Sequence, residues 1–155
     1  MSQAHDMTSS AARRRRAALA ATAASTLAIV GATLYPFRFC SSLAQVRRRA
    51  RWIEWELYYT DREGHLTLDL DLVQNLALFL PLGVALAFLP ESPRPRRDAL
   101  VALAVGGLLS AAVEALQLLT LERVTQLADV WRNAVGAALG ALVGALVRAR
   151  LRGGA

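Results

Sequence analysis

Two short stretches of this chain place the same polar pair at the start of an apolar run. Asp71 and Asn75 are four residues apart, and so are Asp129 and Asn133, so each pair would lie on one face of a helix. Carboxylates and carboxamides are costly within apolar helices, and such residues commonly mark a functional site. The two pairs are therefore the first candidate functional residues.

A third polar pair, Glu114 and Gln117, interrupts another apolar run, and Arg123 follows it. A carboxylate in that position must be paired, protonated or used by a ligand, because an isolated charge is expensive there. Two interpretations of Glu114 stay open: an ion pair with Arg123, or a ligand-binding or catalytic role. The seven residues that form this candidate polar cluster are Asp71, Asn75, Glu114, Gln117, Arg123, Asp129 and Asn133.

Simpler roles compete with the functional ones for several of these residues. Asp71 and Asp129 could cap helix N-termini, where a carboxylate meets free amides and the positive end of the dipole. Gln117 and Asn133 could serve only to hydrogen-bond neighbouring helices. These interpretations predict the same residue types, so contacts must decide between them.

The histidine and cysteine content predicts neither a metal site nor a cofactor. Cys40 is the single cysteine, and the two histidines, His5 and His65, are far apart. His65 could act as a general base, but its position between apolar runs is typical of an ordinary loop histidine.

Four apolar runs must position the polar residues, and each is long enough to cross a bilayer. Hydrophobic residues make up 55% of the 155 residues and charged residues only 19%. The sequence therefore predicts an all-α integral membrane bundle of four transmembrane helices, with spans at about 17–37, 72–90, 99–121 and 129–147. Pro81 lies within the second span, where it should kink the helix or free a carbonyl group.

The chain divides into one membrane domain, residues 17–147, between basic tails at 1–16 and 148–155. The small, polar composition of the first 12 residues is typical of a disordered tail. A cleaved signal peptide is the rival interpretation of the first apolar run, but that run is long and lacks a suitable cleavage site at its end. We expect an uncleaved transmembrane helix.

The first loop is the one sizeable connection and contains an arginine cluster at 47–51. Trp52, Trp55 and Tyr59 then recur at a helical spacing, which predicts either a short amphipathic helix on the membrane surface or a solvated loop.

All 18 basic residues are arginines, and they give the chain a net charge of +6. They cluster between apolar runs, so membrane topology explains them better than nucleic-acid binding does. More of them fall on the side of the two termini than on the other side, although the cluster at 47–51 opposes this trend. The positive-inside rule therefore predicts that both termini are cytoplasmic and that the candidate polar cluster lies at the outer membrane face.

Glycines in the second and fourth spans predict close helix packing. Gly136, Gly140 and Gly144 repeat every four residues, a spacing that lets another helix backbone approach within lipid. Gly83 is the matching candidate in the second span.

The order of these residues resembles the signatures of VanZ-like membrane proteins. Asn75 followed by Phe79-x-Pro81-x-Gly83 resembles the first signature of the family. The second is similar to Glu114-x-x-Gln117, Arg123, Asp129 and Asn133-x-x-Gly136, and the resemblance covers about residues 20–147. It implies a small multi-pass protein of the bacterial cytoplasmic membrane. The namesake of the family is associated with resistance to the glycopeptide teicoplanin, but the resemblance supplies no established reaction.

Three functions fit these observations. The first is a protein that is not an enzyme and binds or shields an envelope component at the polar cluster: a lipid-linked precursor or a lipophilic glycopeptide. The second is an intramembrane enzyme for a lipid or polyprenyl-linked substrate, with Glu114 or Asp129 as acid or base and Arg123 holding phosphate. The third is a small-solute transporter, which would need a homo-oligomer because four helices enclose little path. Beyond such a ligand, we expect membrane lipids as partners and no nucleic acid.

Overall fold

The computed structural model describes residues 2–56 and 70–153, and side chains within 12–56 and 70–152. Its described part is all-α. The helices are α1 (Ser2–Leu34), α2 (Leu43–Arg49), α3 (Leu70–Ala87), α4 (Pro95–Gln117) and α5 (Leu127–Gly153), and a 3₁₀ turn at Ala50–Trp52 follows α2.

Within residues 2–56 and 70–153, four helices are long and apolar enough to cross a membrane. The qualifying segments are Ala12–Leu34, Leu70–Ala87, Pro95–Gln117 and Leu127–Arg152. At 1.5 Å per residue even the shortest, with 18 residues, reaches about 27 Å, close to the thickness of a bilayer core. The predicted fold class, a membrane bundle of four transmembrane helices, is confirmed.

The four long helices alternate in direction. The end of α1 meets the end of α4 through a hydrogen bond from Gln117 to the Thr33 carbonyl. At the same end of the bundle, the starts of α3 and α5 meet through Asn75 and Asp129. We call this the cavity end. The opposite end, where Arg148 of α5 reaches the carbonyl of Ala87, is called the arginine end.

Small residues bring α3 and α5 into direct backbone contact. A methyl group added at Gly136 would lie 2.6 Å from the carbonyl oxygen of Leu76, and one at Gly140 would overlap that of Leu80. On the other side, a methyl group at Gly83 would overlap the carbonyl of Ala137. Only glycine leaves room for this approach, as is common between helices in lipid.

A compact apolar core fills the middle of the bundle, between its two ends. Ile29, Phe79 and Leu82 are its largest members, and each is fully buried. Alanines of α4 and α5, including Ala102 and Ala137, complete it. The helices therefore meet in a packed interior.

Local features differ from the sequence expectations in two places, the start of the chain and residues 53–56. The chain is helical from Ser2, where the composition predicted a disordered tail, because no proline or glycine interrupts it before Gly31. Pro81 lies inside α3, as its place within the second apolar run implied, and α3 continues to Ala87. Residues 53–56 are not helical, so the amphipathic-helix interpretation is wrong for them.

The described part of the first loop lies against the turn between α4 and α5. Cys40 N–H donates to the Leu119 carbonyl at 2.7 Å, and Glu54 exchanges main-chain hydrogen bonds with Thr125 and Leu127. Trp52 and Trp55 remain exposed. Tyr59 and His65 lie outside the described residues.

Candidate polar cavity

All seven residues of the candidate polar cluster line one cavity at the cavity end of the bundle. The cavity has a volume of about 470 Å³ and lies among α1, α3, α4, α5 and the turn that joins α4 to α5. Its lining includes Asp71, Asn75, Glu114, Gln117, Arg123, Asp129 and Asn133. The structure thus brings together side chains that are up to 62 residues apart (133 − 71).

The two repeated stretches meet directly in this cavity. Asn75 Nδ2 of α3 donates to Asp129 Oδ1 of α5 at 2.7 Å. Arg132 Nη1, one turn further along α5, also lies 3.4 Å from Asp129 Oδ1. Asp129 belongs to the first turn of α5, but its hydrogen bonds run to another helix and to an arginine, so capping alone does not describe it.

Asn133 connects α5 with α4 below the Asn75–Asp129 contact. Its Nδ2 donates to Ser110 Oγ at 2.8 Å, and Ser110 Oγ lies 3.4 Å from the carbonyl oxygen of Asp129. Ser110 and Asn133 are both buried, so the hydrogen bond between them is favourable in an apolar setting. Asn133 Oδ1 is also buried and has no hydrogen-bond partner within the described part of the chain. Buried polar side chains therefore join α4 to α5 beside the cavity, which Asn133 lines.

Glu114 is held by the turn that follows α4. Its Oε2 accepts a hydrogen bond from the backbone N–H of Gln126 at 2.9 Å, and its carbonyl accepts one from Thr125 Oγ1 at 3.2 Å. The side chain is 6% exposed within the protein. The backbone amide, not an arginine, is the described partner of this carboxylate.

Of the two interpretations left open for Glu114, the ion pair with Arg123 is not formed. Arg123 instead donates from Nε to the Tyr35 carbonyl and from Nη2 to the Ala32 carbonyl, at 3.3 and 3.2 Å. These are carbonyls at the end of α1, which have no partner within the helix and attract a cation. Arg123 therefore fastens the α4–α5 turn to α1 and does not neutralise a carboxylate of the cluster.

The cation that does accompany the cluster is Arg132, which is not among the seven residues predicted from the sequence. It is 3% exposed and contacts both Asp129 and the ring of Trp131. Its i,i+3 spacing from Asp129 was a usable signal, because residues three apart are neighbours on a helix. The Gln126 amide carried no such signal, because every non-proline residue has a backbone N–H group.

The described residues contain no group of three or more metal-ligating side chains close enough to hold a metal ion. The cavity lining offers carboxylates, carboxamides and one guanidinium, and these can hydrogen-bond a ligand or exchange a proton with it.

The fold and the cavity together define a small multi-pass α-helical membrane protein with a polar cavity at one end of its bundle. The model of the VanZ/LLP1 family matches residues 6–148, and the chain therefore belongs to the VanZ/LLP1 family. Comparisons with curated proteins and with solved structures found no match.

Proposed function

We propose that this VanZ/LLP1 protein binds a ligand of the bacterial cell envelope in its polar cavity. The observation that carries the proposal is the convergence of all seven cluster residues on one cavity of about 470 Å³. That volume is in the range of sites for small organic ligands, which occupy about 300–1,000 Å³.

The charges of the lining favour a ligand rich in hydrogen-bond donors. Among the described lining residues, the carboxylates are Asp71, Glu114, Glu122 and Asp129, whereas Arg123 is the one cation. Arg123 already donates to two carbonyls, and Glu122 pairs with Arg38 at 2.7 Å. Hydroxyl, amide and ammonium groups would match such a surface, and a phosphate would not. The sugars of a lipid-linked precursor or a lipophilic glycopeptide supply these groups.

The arginine distribution supports placing the cavity at the outer face of the cytoplasmic membrane. Arginines of both terminal segments and of the α3–α4 connection gather at the arginine end, which the positive-inside rule assigns to the cytoplasm. The cavity would then meet lipid-linked precursors or antibiotics at the outer leaflet. Binding there would shield the ligand, and glycopeptide resistance would be one consequence.

An intramembrane enzyme is the second candidate, because Glu114 and Asp129 line the same cavity. Two carboxylates at one site can serve as acid and base. The loss of Arg123 as a phosphate-binding group weakens this candidate. A transporter is less well supported, since buried apolar side chains fill the described middle of the bundle.

The test is ligand binding by the full chain in lipid nanodiscs, with teicoplanin and an undecaprenyl-linked sugar as probes. Glu114→Gln should weaken binding of the preferred probe by about tenfold, because hydrogen bonds to charged groups are the stronger ones. Glu91→Gln makes the same chemical change at an exposed position of the arginine end and should leave affinity unchanged.

The proposal would be contradicted if neither probe binds the wild-type chain. It would also be contradicted if Glu91→Gln loses as much affinity as Glu114→Gln. The enzyme would instead be established if the wild-type chain converts the undecaprenyl-linked sugar to a product. Glu114→Gln and Asp129→Asn would then have to abolish this turnover while still binding the sugar.

A further inference from the structure

A second cavity, of about 520 Å³, lies at the arginine end of the bundle. It is formed by the N-terminal part of α1, the C-terminal part of α5 and the connection between α3 and α4. Four arginines line it, and we call it the arginine cavity: Arg14, Arg15, Arg148 and Arg152. The proposed function of the polar cavity makes no use of these residues.

Arg148 is a structural part of this cavity. Its side chain is buried, and its guanidinium donates to the carbonyls of Ala87, Pro90 and Glu91, with the last two at 2.6 and 3.2 Å. It also lies 5.7 Å from the centre of the Phe88 ring. Arg148 therefore fixes the α3–α4 connection as one wall and is unsuitable as a test residue.

The remaining arginines leave the cavity strongly positive. Glu91 is the one carboxylate among the described lining residues, against four guanidinium groups. Arg14 and Arg15 are exposed, and no carboxylate pairs with either in the described part of the chain. Arg152 lies across the cavity on α5, and its Nη2 donates to the Glu91 carbonyl. Its other N–H groups, together with the guanidinium groups of Arg14 and Arg15, can surround an anion from two sides.

The lining also has an apolar part, made of Phe88, Leu89 and Leu151. The cavity lies at Ala12, where the membrane-crossing segment of α1 begins, and at Arg152, where that of α5 ends. A ligand that fits must therefore carry a negative charge next to hydrocarbon, at the depth of the lipid headgroups. Basic pockets between membrane helices match that chemistry.

We propose that the arginine cavity binds the headgroup phosphate of an anionic phospholipid, with Arg14, Arg15 and Arg152 as the binding side chains. The phosphate oxygens would accept hydrogen bonds from these guanidinium groups, while the first carbons of the acyl chains would lie along Phe88 and Leu151.

Native mass spectrometry of the full chain in detergent tests this, with dioleoylphosphatidylglycerol and dioleoylphosphatidylcholine as matched lipids. The wild-type chain should bind the anionic lipid more tightly. The double variant Arg14→Gln/Arg15→Gln should lose about tenfold or more of that affinity, because each basic residue contributes substantially at a charged headgroup layer. Arg47→Gln/Arg48→Gln removes the same charge from exposed positions of α2, at the cavity end, and should change the affinity less than about twofold.

Equal binding of the two lipids by the wild-type chain, or an equal loss in both double variants, would overturn the proposal. Inorganic phosphate is the third probe. If millimolar phosphate displaces the anionic lipid completely, the site recognises a free anion and the lipid assignment is overturned. Failure of the polar-cavity proposal would leave this result unaffected, since the two cavities share no residue.

Discussion

At the scale of single residues, the contact between Asn75 and Asp129 shows that the two repeated stretches pack against each other. Either stretch alone could be a helix start with a polar neighbour. The 2.7 Å hydrogen bond between them joins α3 to α5, and Arg132 completes the arrangement around Asp129. In the folded protein the two stretches therefore form one polar site.

Removal of this contact should destabilise the protein. Asn75→Ala leaves a partly buried Asp129 with one fewer donor, which should cost about 1–3 kcal/mol of unfolding free energy. Thermal unfolding of the full chain in detergent measures the effect. Gln74→Ala removes the neighbouring, exposed carboxamide and is the matched control. Equal destabilisation by the two variants would show that the Asn75–Asp129 hydrogen bond has no special weight.

The polar residues of the site could be predicted from sequence, but their partners could not. Residues such as Glu114 are conspicuous because they interrupt apolar runs. One of the two interpretations of Glu114 paired it with Arg123, the nearest following cation. In the structure the turn at 118–126 folds back so that the Gln126 amide reaches Glu114, while Arg123 reaches carbonyls of α1. Contacts of this kind depend on the path of a loop, which hydropathy and spacing do not determine.

At the scale of helices, glycine decides how closely α3 and α5 can pack. Hydropathy predicted four membrane-spanning helices, and the described residues contain four helices long and apolar enough for that role. The ends of the helices were less predictable. The predicted fourth span began at Asp129, where hydropathy places the apolar run. Backbone hydrogen bonding defines the helix itself, and α5 begins two residues earlier, at Leu127.

Gly140→Ala should separate α3 from α5. The added methyl group would overlap the Leu80 carbonyl, and backbone cannot move aside as a flexible side chain can, so we expect a loss of about 1–3 kcal/mol. Gly31→Ala is the control, because nothing lies within 4 Å of the added methyl group there. It should be neutral or slightly stabilising, since alanine favours helix. Unfolding in a detergent titration measures both, and a stable Gly140→Ala protein would contradict the packing described for this pair.

At the scale of the whole molecule, the bundle has two chemically different ends. Carboxylates and carboxamides surround the cavity at one end, and guanidinium groups surround the cavity at the other. Alternating helix directions place both terminal segments at the arginine end. A charge asymmetry of this kind orients a membrane protein.

Cysteine labelling tests the orientation. In a Cys40→Ser background, Val124→Cys lies in the exposed α4–α5 turn and Ser92→Cys in the exposed α3–α4 connection. A membrane-impermeant maleimide added to intact spheroplasts should label position 124, and it should label position 92 only after permeabilisation. The background chain without cysteine should remain unlabelled. The opposite pattern would place the polar cavity on the cytoplasmic side.

The contact between α3 and α5 also bears on how the family can diverge. Leu76 and Leu80 meet the glycines of α5 through their own carbonyl oxygens and Cα atoms. Every amino acid supplies those atoms, so this part of the interface places little restriction on the α3 side chains. The glycines have no such freedom, because any side chain would occupy the space of the neighbouring backbone. Sequence drift at these contacts is therefore expected to be one-sided: positions 76 and 80 of α3 can vary, while α5 must retain Gly136 and Gly140.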